Sequence, residues 1–410
     1  MGGIVFTQRL ESAIGRNFRD EPKLSPRHVR ATYYIGAGDS HTQMEAAKRV
    51  AIEQSAKRGR GAAKVVAVEK IGPLVESIRG PRQYEYRGDK WRDSTAHALL
   101  AKVDYPIENF GNDLSMCWLS LAGETNHMAS LWEVRLLDVE FPREYASQFK
   151  GPNFGRDWFW EFFGAKRPLL VGPVKPSVKG STTIEQFARK AYLAARGGVD
   201  IIKMDELYHL SHGELERIIS ATKAGLKRAE DETGERKLFV VTINSGDFSE
   251  FARNYELASR NDCAVLVSPY HGFSHLGYAA KQGDVQIFAH NEAITNATSS
   301  GRTGHSFSVV MKFFRLNGAD VMIMPAPLGS FLCTRGELNA NRDACWSELG
   351  NSKTSSIAVA GGQTDKTLKL QFEMLGDYRF MFIVGAFLYD KPQIIESRAR
   401  ALRVACGELE

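Results

Sequence analysis

From about residue 165 onward the chain alternates short apolar runs with longer stretches whose apolar residues recur every three to four positions. The short runs fall at 169–174, 199–204, 238–242, 264–267, 285–289, 320–324, 357–359 and 381–384. Unbroken apolar runs suit strands buried on both faces, because a parallel sheet covered by helices has no wet side. Helical periodicity occupies 183–196, 212–230, 304–316 and 391–406. Eight such alternations over about 240 residues predict a parallel TIM (β/α)8 barrel, with an open doubly wound sheet as the alternative.

Residues 28 to about 145 read differently. HVRATYYIGAG alternates as a strand, TQMEAAKRVAIEQSAK has the spacing of an amphipathic helix, KVVAVEKIG and YEYRGDKW are strand candidates, and MASLWEVRLLDVEF closes the unit. The α/β chain therefore divides into a smaller α+β, ferredoxin-like domain over 1–150 and a barrel domain over 151–410. The only repeat is the βα alternation itself.

Composition adds exclusions. At 410 residues the chain exceeds one ordinary core, and 43% hydrophobic with 25% charged residues is globular composition. The net charge of +5 is spread without a basic block, which excludes nucleic acid as a partner and suits an anionic sugar acid or sugar phosphate. The five cysteines are odd in number and lack CxxC spacing, so they read as reduced thiols. No stretch reaches the roughly 18 apolar residues that cross a bilayer, and the N-terminus lacks a signal core, so the expected location is cytoplasmic.

Candidate chemistry concentrates in GGVDIIKMDE, where an apolar strand ends in Lys203, Asp205 and Glu206. Barrel chemistry lies at the carboxyl ends of strands. Two carboxylates are hard ligands for magnesium, whereas the Lys203 ammonium repels a cation unless carbamylation by CO2 turns it into a third anionic ligand. The alternative is a buried salt bridge of Lys203 with Asp205 or Glu206. Lys175, after the preceding strand, is a further candidate for acid–base chemistry or for a structural ion pair. The first βα turn carries Lys-Pro where a dinucleotide fold would place G-x-G-x-x-G, so nothing supports NAD. His271 and His275 have zinc-compatible spacing but no third ligand nearby. His209 and His212 read as loop residues.

GGVDIIKMDE resembles the metal signature of the RuBisCO superfamily, and Val174-Lys175-Pro176 resembles its Lys-Pro-Lys segment. Weaker likenesses run through ATYYIGAG, AIEQSAKRG, ETGERKLFVVTIN, RLNGAD and AGGQ, covering most of the chain. The resemblance implies Mg2+ on a carbamylated Lys203 with Asp205 and Glu206, and catalytic roles for Lys175 and for His290 at the end of the fifth strand. It also implies phosphate-cradling turns at Gly361-Gly362 and Gly385, and a homodimer or larger assembly with shared active sites. In that assembly Glu53 would serve the partner's site, and so would Glu124, which replaces the family's asparagine near the metal and would alter the charge there or supply a further acid or base, while Lys57 and Arg58 read as exposed helix charges.

The chain also departs from the family. Asn291 stands where the family has an arginine beside the substrate, Ile323 replaces a histidine, Ala360 a serine and Ser177 the second lysine of Lys-Pro-Lys. Ser330 falls at the mobile-loop lysine that stabilises the carboxylate formed when CO2 adds. Without that charge carboxylation should fail, which implies the RuBisCO-like (form IV) branch. The expected reaction is Mg-dependent enolisation of a small, sugar-derived substrate leading to tautomerisation, isomerisation or decarboxylation. A non-catalytic sugar-phosphate or partner-binding descendant and an authentic carboxylase are the alternatives.

Overall fold

The computed structural model describes residues 15, 17–37, 42–71, 83–86, 89–92, 97–128, 131–177, 182–207, 209–268, 272–292, 294–331 and 333–408. Eight parallel strands close a barrel: β1 (Leu169–Pro173), β2 (Ile201–Lys203), β3 (Leu238–Thr242), β4 (Ala264–Val267), β5 (Ile287–Ala289), β6 (Val321–Pro325), β7 (Ser356–Ala360) and β8 (Met381–Ile383). Each falls on one of the eight expected runs. Strands adjacent in sequence pair side by side, and β8 returns to β1 with Ile383 opposite Val171.

Alternate strand residues point inward. Leu169, Val171, Ile201, Leu238, Val240, Ala264, Leu266, Phe288, Val321, Ile323, Ala358, Met381 and Ile383 form one apolar cluster with Phe159 and Trp160 of the helix Arg156–Phe163. Each large member contributes roughly 1.5–3 kcal/mol through burial. The same alternation, two residues beyond Ile201 and Phe288, brings Lys203 and His290 into the inward row at the strands' carboxyl ends. The amino ends are closed by polar groups. Asp320 accepts the backbone N–H groups of Phe154 (2.8 Å), Gly155 (2.9 Å) and Ile287 (2.9 Å), and Arg167 donates twice to Asp200, at 2.7 and 2.9 Å. Burial pushes the Asp320 carboxyl up to about 6 in spite of its three donors.

The loops leaving β1 and β2 end in capping boxes, Thr183 with Gln186 and Ser211 with Glu214, which start the helices Ile184–Arg196 and His212–Thr233. His212 therefore opens a helix and is not a loop residue. Among the described residues no helix is long and apolar enough to cross a membrane.

A second compact unit comprises the residues up to Phe149 with Ile294–Phe313 and Glu348–Asn351. Its five-stranded sheet has the order Gly304–His305, Leu131–Glu140, His28–Ala37, His97–Pro106, Lys64–Ile71. The central strands are antiparallel, with His28 opposite Pro106, and the two-residue edge strand is parallel, with Gly304 opposite Arg135. Two local expectations need correction. The helix expected from 304 begins at Phe307, because Gly304 and His305 extend to pair with the sheet. YEYRGDKW is not one strand: Gln83–Tyr86 pairs with Asp89–Arg92 as a hairpin, consistent with the glycine that interrupts its run.

Candidate active site

Lys203, the last residue of β2, is 2% exposed. Its ammonium donates to Glu206 Oε2 at 2.6 Å and to the Met204 carbonyl at 2.9 Å. Lys175, two residues past β1, is the open amine of the pair, with 43% of its side chain exposed and Nζ 3.4 Å from Asp205 Oδ2. The other Asp205 oxygen accepts the Leu207 N–H (3.3 Å), and the Asp205 carbonyl accepts from Thr242 Oγ1 (3.1 Å) at the end of β3. His290 follows β5, with Nε2 3.5 Å from Glu206 Oε2. Its Nδ1 accepts the backbone N–H of Glu292 at 3.2 Å, and the Glu292 carboxylate stands 3.9 Å from the same nitrogen.

Burial alone would raise the Glu206 carboxyl, but the charge and hydrogen bond of Lys203, helped by His290, hold it down at about 2. Burial and the Lys203 charge push His290 down to about 3, so its ring is neutral at physiological pH. Glu292 moves the other way: burial raises it, opposed by a hydrogen bond with Ser268 and reinforced by the nearby Glu206 charge. The carboxylates of Glu206 and Glu292, from two strand ends, come together and fit a hard divalent cation. The Lys203 ammonium is the group that opposes one.

The ligands expected from the sequence do not all converge. Glu206 meets His290 and Glu292, one ligand atom of each lying within 4.8 Å of the others, while Asp205 turns toward Lys175. Glu292 was missed by sequence reasoning. Its signal would have been an acid two residues after a strand-end histidine. A Cβ on Gly385 would come within 3.3 Å of Pro173 Cγ and would only touch the Lys175 stem, at 3.8 Å from Cε. Gly361 and Gly362 have φ of +95° and +66°. The loop after β6 lies on this turn, with Ser330 N donating to the Gly361 carbonyl at 3.0 Å and the Phe331 ring filling the space over Gly361.

The other candidates lie as follows. Asn291 and Ser177 are buried, and Ile323 belongs to the barrel's apolar interior. His275 packs edge-on against Phe248 and Phe251, and His271 lies outside the described residues. The His212 ring shares a 3.0 Å hydrogen bond with Asn254, whereas His209 is exposed. Glu53 ends the helix Gln43–Glu53 and Glu124 opens the turn Glu124–His127, both exposed and both in the other unit.

Residues 20–145 match the family model described as "Ribulose bisphosphate carboxylase large chain, N-terminal domain", and residues 158–331 match the corresponding catalytic domain. A ribulose bisphosphate carboxylase-like protein of Archaeoglobus fulgidus is 31% identical over 74% of this chain and 69% of its own length. The 2,3-diketo-5-methylthiopentyl-1-phosphate enolase of Geobacillus kaustophilus is 30% identical over 66% of this chain and 63% of its own. The octameric ribulose-1,5-bisphosphate carboxylase/oxygenase of Pyrococcus horikoshii shares the fold, with a TM-score of 0.82 at 24% identity over 98% of this chain and 91% of that one.

Proposed function

The chain belongs to the ribulose bisphosphate carboxylase large-chain family, and within it we propose a RuBisCO-like enzyme that enolises a small sugar-derived carbonyl compound with the help of a divalent cation and does not fix CO2. The observation that carries this reading is the pairing of a buried amine, Lys203, with an open one, Lys175, each facing a carboxylate at adjacent strand ends. Lys203, as its CO2 adduct, would join Asp205 and Glu206 in holding Mg2+. A cation so held stabilises the oxyanion left when a proton departs from the carbon beside a carbonyl. Lys175 is the amine that substrate can reach, and it moves that proton. His290 donates from Nε2, since Nδ1 already accepts a backbone N–H.

Two further observations favour loss of carboxylation. The stretch Ala326–Phe331 contains no lysine or arginine, so it offers no cation to a nascent carboxylate. A relative of this chain is named as an enolase. The substrate is expected to be phosphorylated and the working form to be a homodimer or larger, with Glu53 and Glu124 serving a second copy's site.

The test is proton exchange into deuterated solvent across keto-sugar phosphates and sugar acids, with native protein, Lys203→Ala and Lys175→Met. Exchange that needs Mg2+ and disappears in both variants is the expected result. Undiminished exchange in Lys203→Ala would remove that residue from the mechanism. The packing of Phe331 over Gly361 favours a second reading, a non-catalytic binder, which predicts no exchange and no response to Mg2+ with bicarbonate.

A further inference from the structure

We propose that Glu292 is an anionic ligand of the ion at the barrel mouth, and that its carboxylate lets the site take a divalent cation while Lys203 is still an amine. The proposal rests on the reading of this site as an ion centre. Ligand atoms of Glu206, His290 and Glu292 lie within 4.8 Å of one another. Opposite ligands of an ion with bonds of about 2.1 Å stand about 4.2 Å apart, so small side-chain shifts suffice for one ion to sit between the two carboxylates.

The imidazole lies against both acids. Its Nδ1 takes the Glu292 backbone N–H at 3.2 Å, which leaves the ring proton on Nε2, 3.5 Å from Glu206. His290 therefore donates, and the protein ligands of the ion are oxygens. Charge gives the reason for a third acid. Asp205 and Glu206 each face an amine, Lys175 and Lys203, so positive charge already matches those two carboxylates and little is left to attract a divalent ion. A carbamate on Lys203 would make the site anionic. Glu292 does so as well, adding a negative charge with the lysine unmodified. The residue is placed for the task by its hydrogen bond with Ser268, which follows β4.

The test is Mn2+ binding to the chelator-stripped full chain, followed by the electron paramagnetic resonance of the free ion in CO2-free and in bicarbonate buffer. Native protein is expected to bind Mn2+ without CO2. Glu292→Gln should weaken that binding about tenfold or more, with much of the loss recovered in bicarbonate, and Glu292→Asp should retain part of it. Native protein that binds only with bicarbonate overturns the proposal whether or not the variants fold, and so does native-like binding by Glu292→Gln in CO2-free buffer. Both outcomes leave the ion centre standing. Native protein that binds Mn2+ in neither buffer would bring down the ion centre itself, and the role of Glu292 with it.

Discussion

Replacing Lys203 by methionine keeps the bulk of the side chain and removes its charge, and the stability of the protein should then respond to pH with a changed slope. The Lys203 ammonium lies 2.6 Å from Glu206 and is 2% exposed, and CO2-free buffer with chelator keeps the pair free of carbamate and metal during the assay. Burial raises the Glu206 carboxyl, yet Lys203 and His290 hold it at about 2 against an ordinary 4.5. At 1.36 kcal/mol per pH unit that gap corresponds to about 3 kcal/mol. Because the folded value is the lower one, this stability is complete above pH 4.5 and is lost as pH falls toward 2. In Lys203→Met the largest group opposing burial is gone and only His290 and a backbone hydrogen bond remain, so the Glu206 value rises and the variant gains less stability than the native protein as pH increases. At pH 7 the unpaired carboxylate should cost about 3–5 kcal/mol. Urea midpoints followed by circular dichroism from pH 3.5 to 8 would measure both proteins. The gap between them should shrink by at least about 1–2 kcal/mol on going from pH 7 to pH 3.5, and His290, whose own value Lys203 holds down, adds to the change in the same direction. A constant gap across that range would refute the account of the pair.

Three further outcomes are expected. Asp320→Ala leaves the N–H groups of Phe154, Gly155 and Ile287 without their acceptor, and at roughly 1–3 kcal/mol each the urea midpoint should fall by at least about 3 kcal/mol of stability. Gly361→Ala places a methyl at φ +95° and into the space held by the Phe331 ring, so it should destabilise by roughly 1–3 kcal/mol. Adding Phe331→Ala should recover the steric part, and strict additivity in the double-mutant cycle would show that the two residues do not touch. Lys175→Met should slow solvent exchange by about a hundredfold or more without weakening Mn2+ binding, and weaker binding would place Lys175 among the ion's supports.

The barrel was legible because burial on both faces turns each strand into an unbroken apolar run, and all eight runs became strands. Lys203 was legible for the same reason: a lysine at the end of such a run has to point into the mouth. Glu292 left only a weak trace, an acid two residues after a strand-end histidine. Its approach to His290 comes from the path of the backbone after β5, which that spacing alone does not fix. Phe331 and Gly361 meet across loops that leave different strands, so no local pattern links them. The two-residue strand Gly304–His305 is set by its partner, Leu131–Glu140, and alone reads as the approach to a helix.

That short strand also sets a schedule for synthesis. The Leu131–Glu140 strand emerges early, but the pair that meets its outer edge, at Arg135 and Leu136, is made only when Gly304 and His305 follow much later in the chain. Until then a nascent chain presents an open row of backbone donors and acceptors to any passing strand. A ribosome stalled between these points, or a fragment ending near residue 150, should therefore be the form of this protein most prone to aggregate.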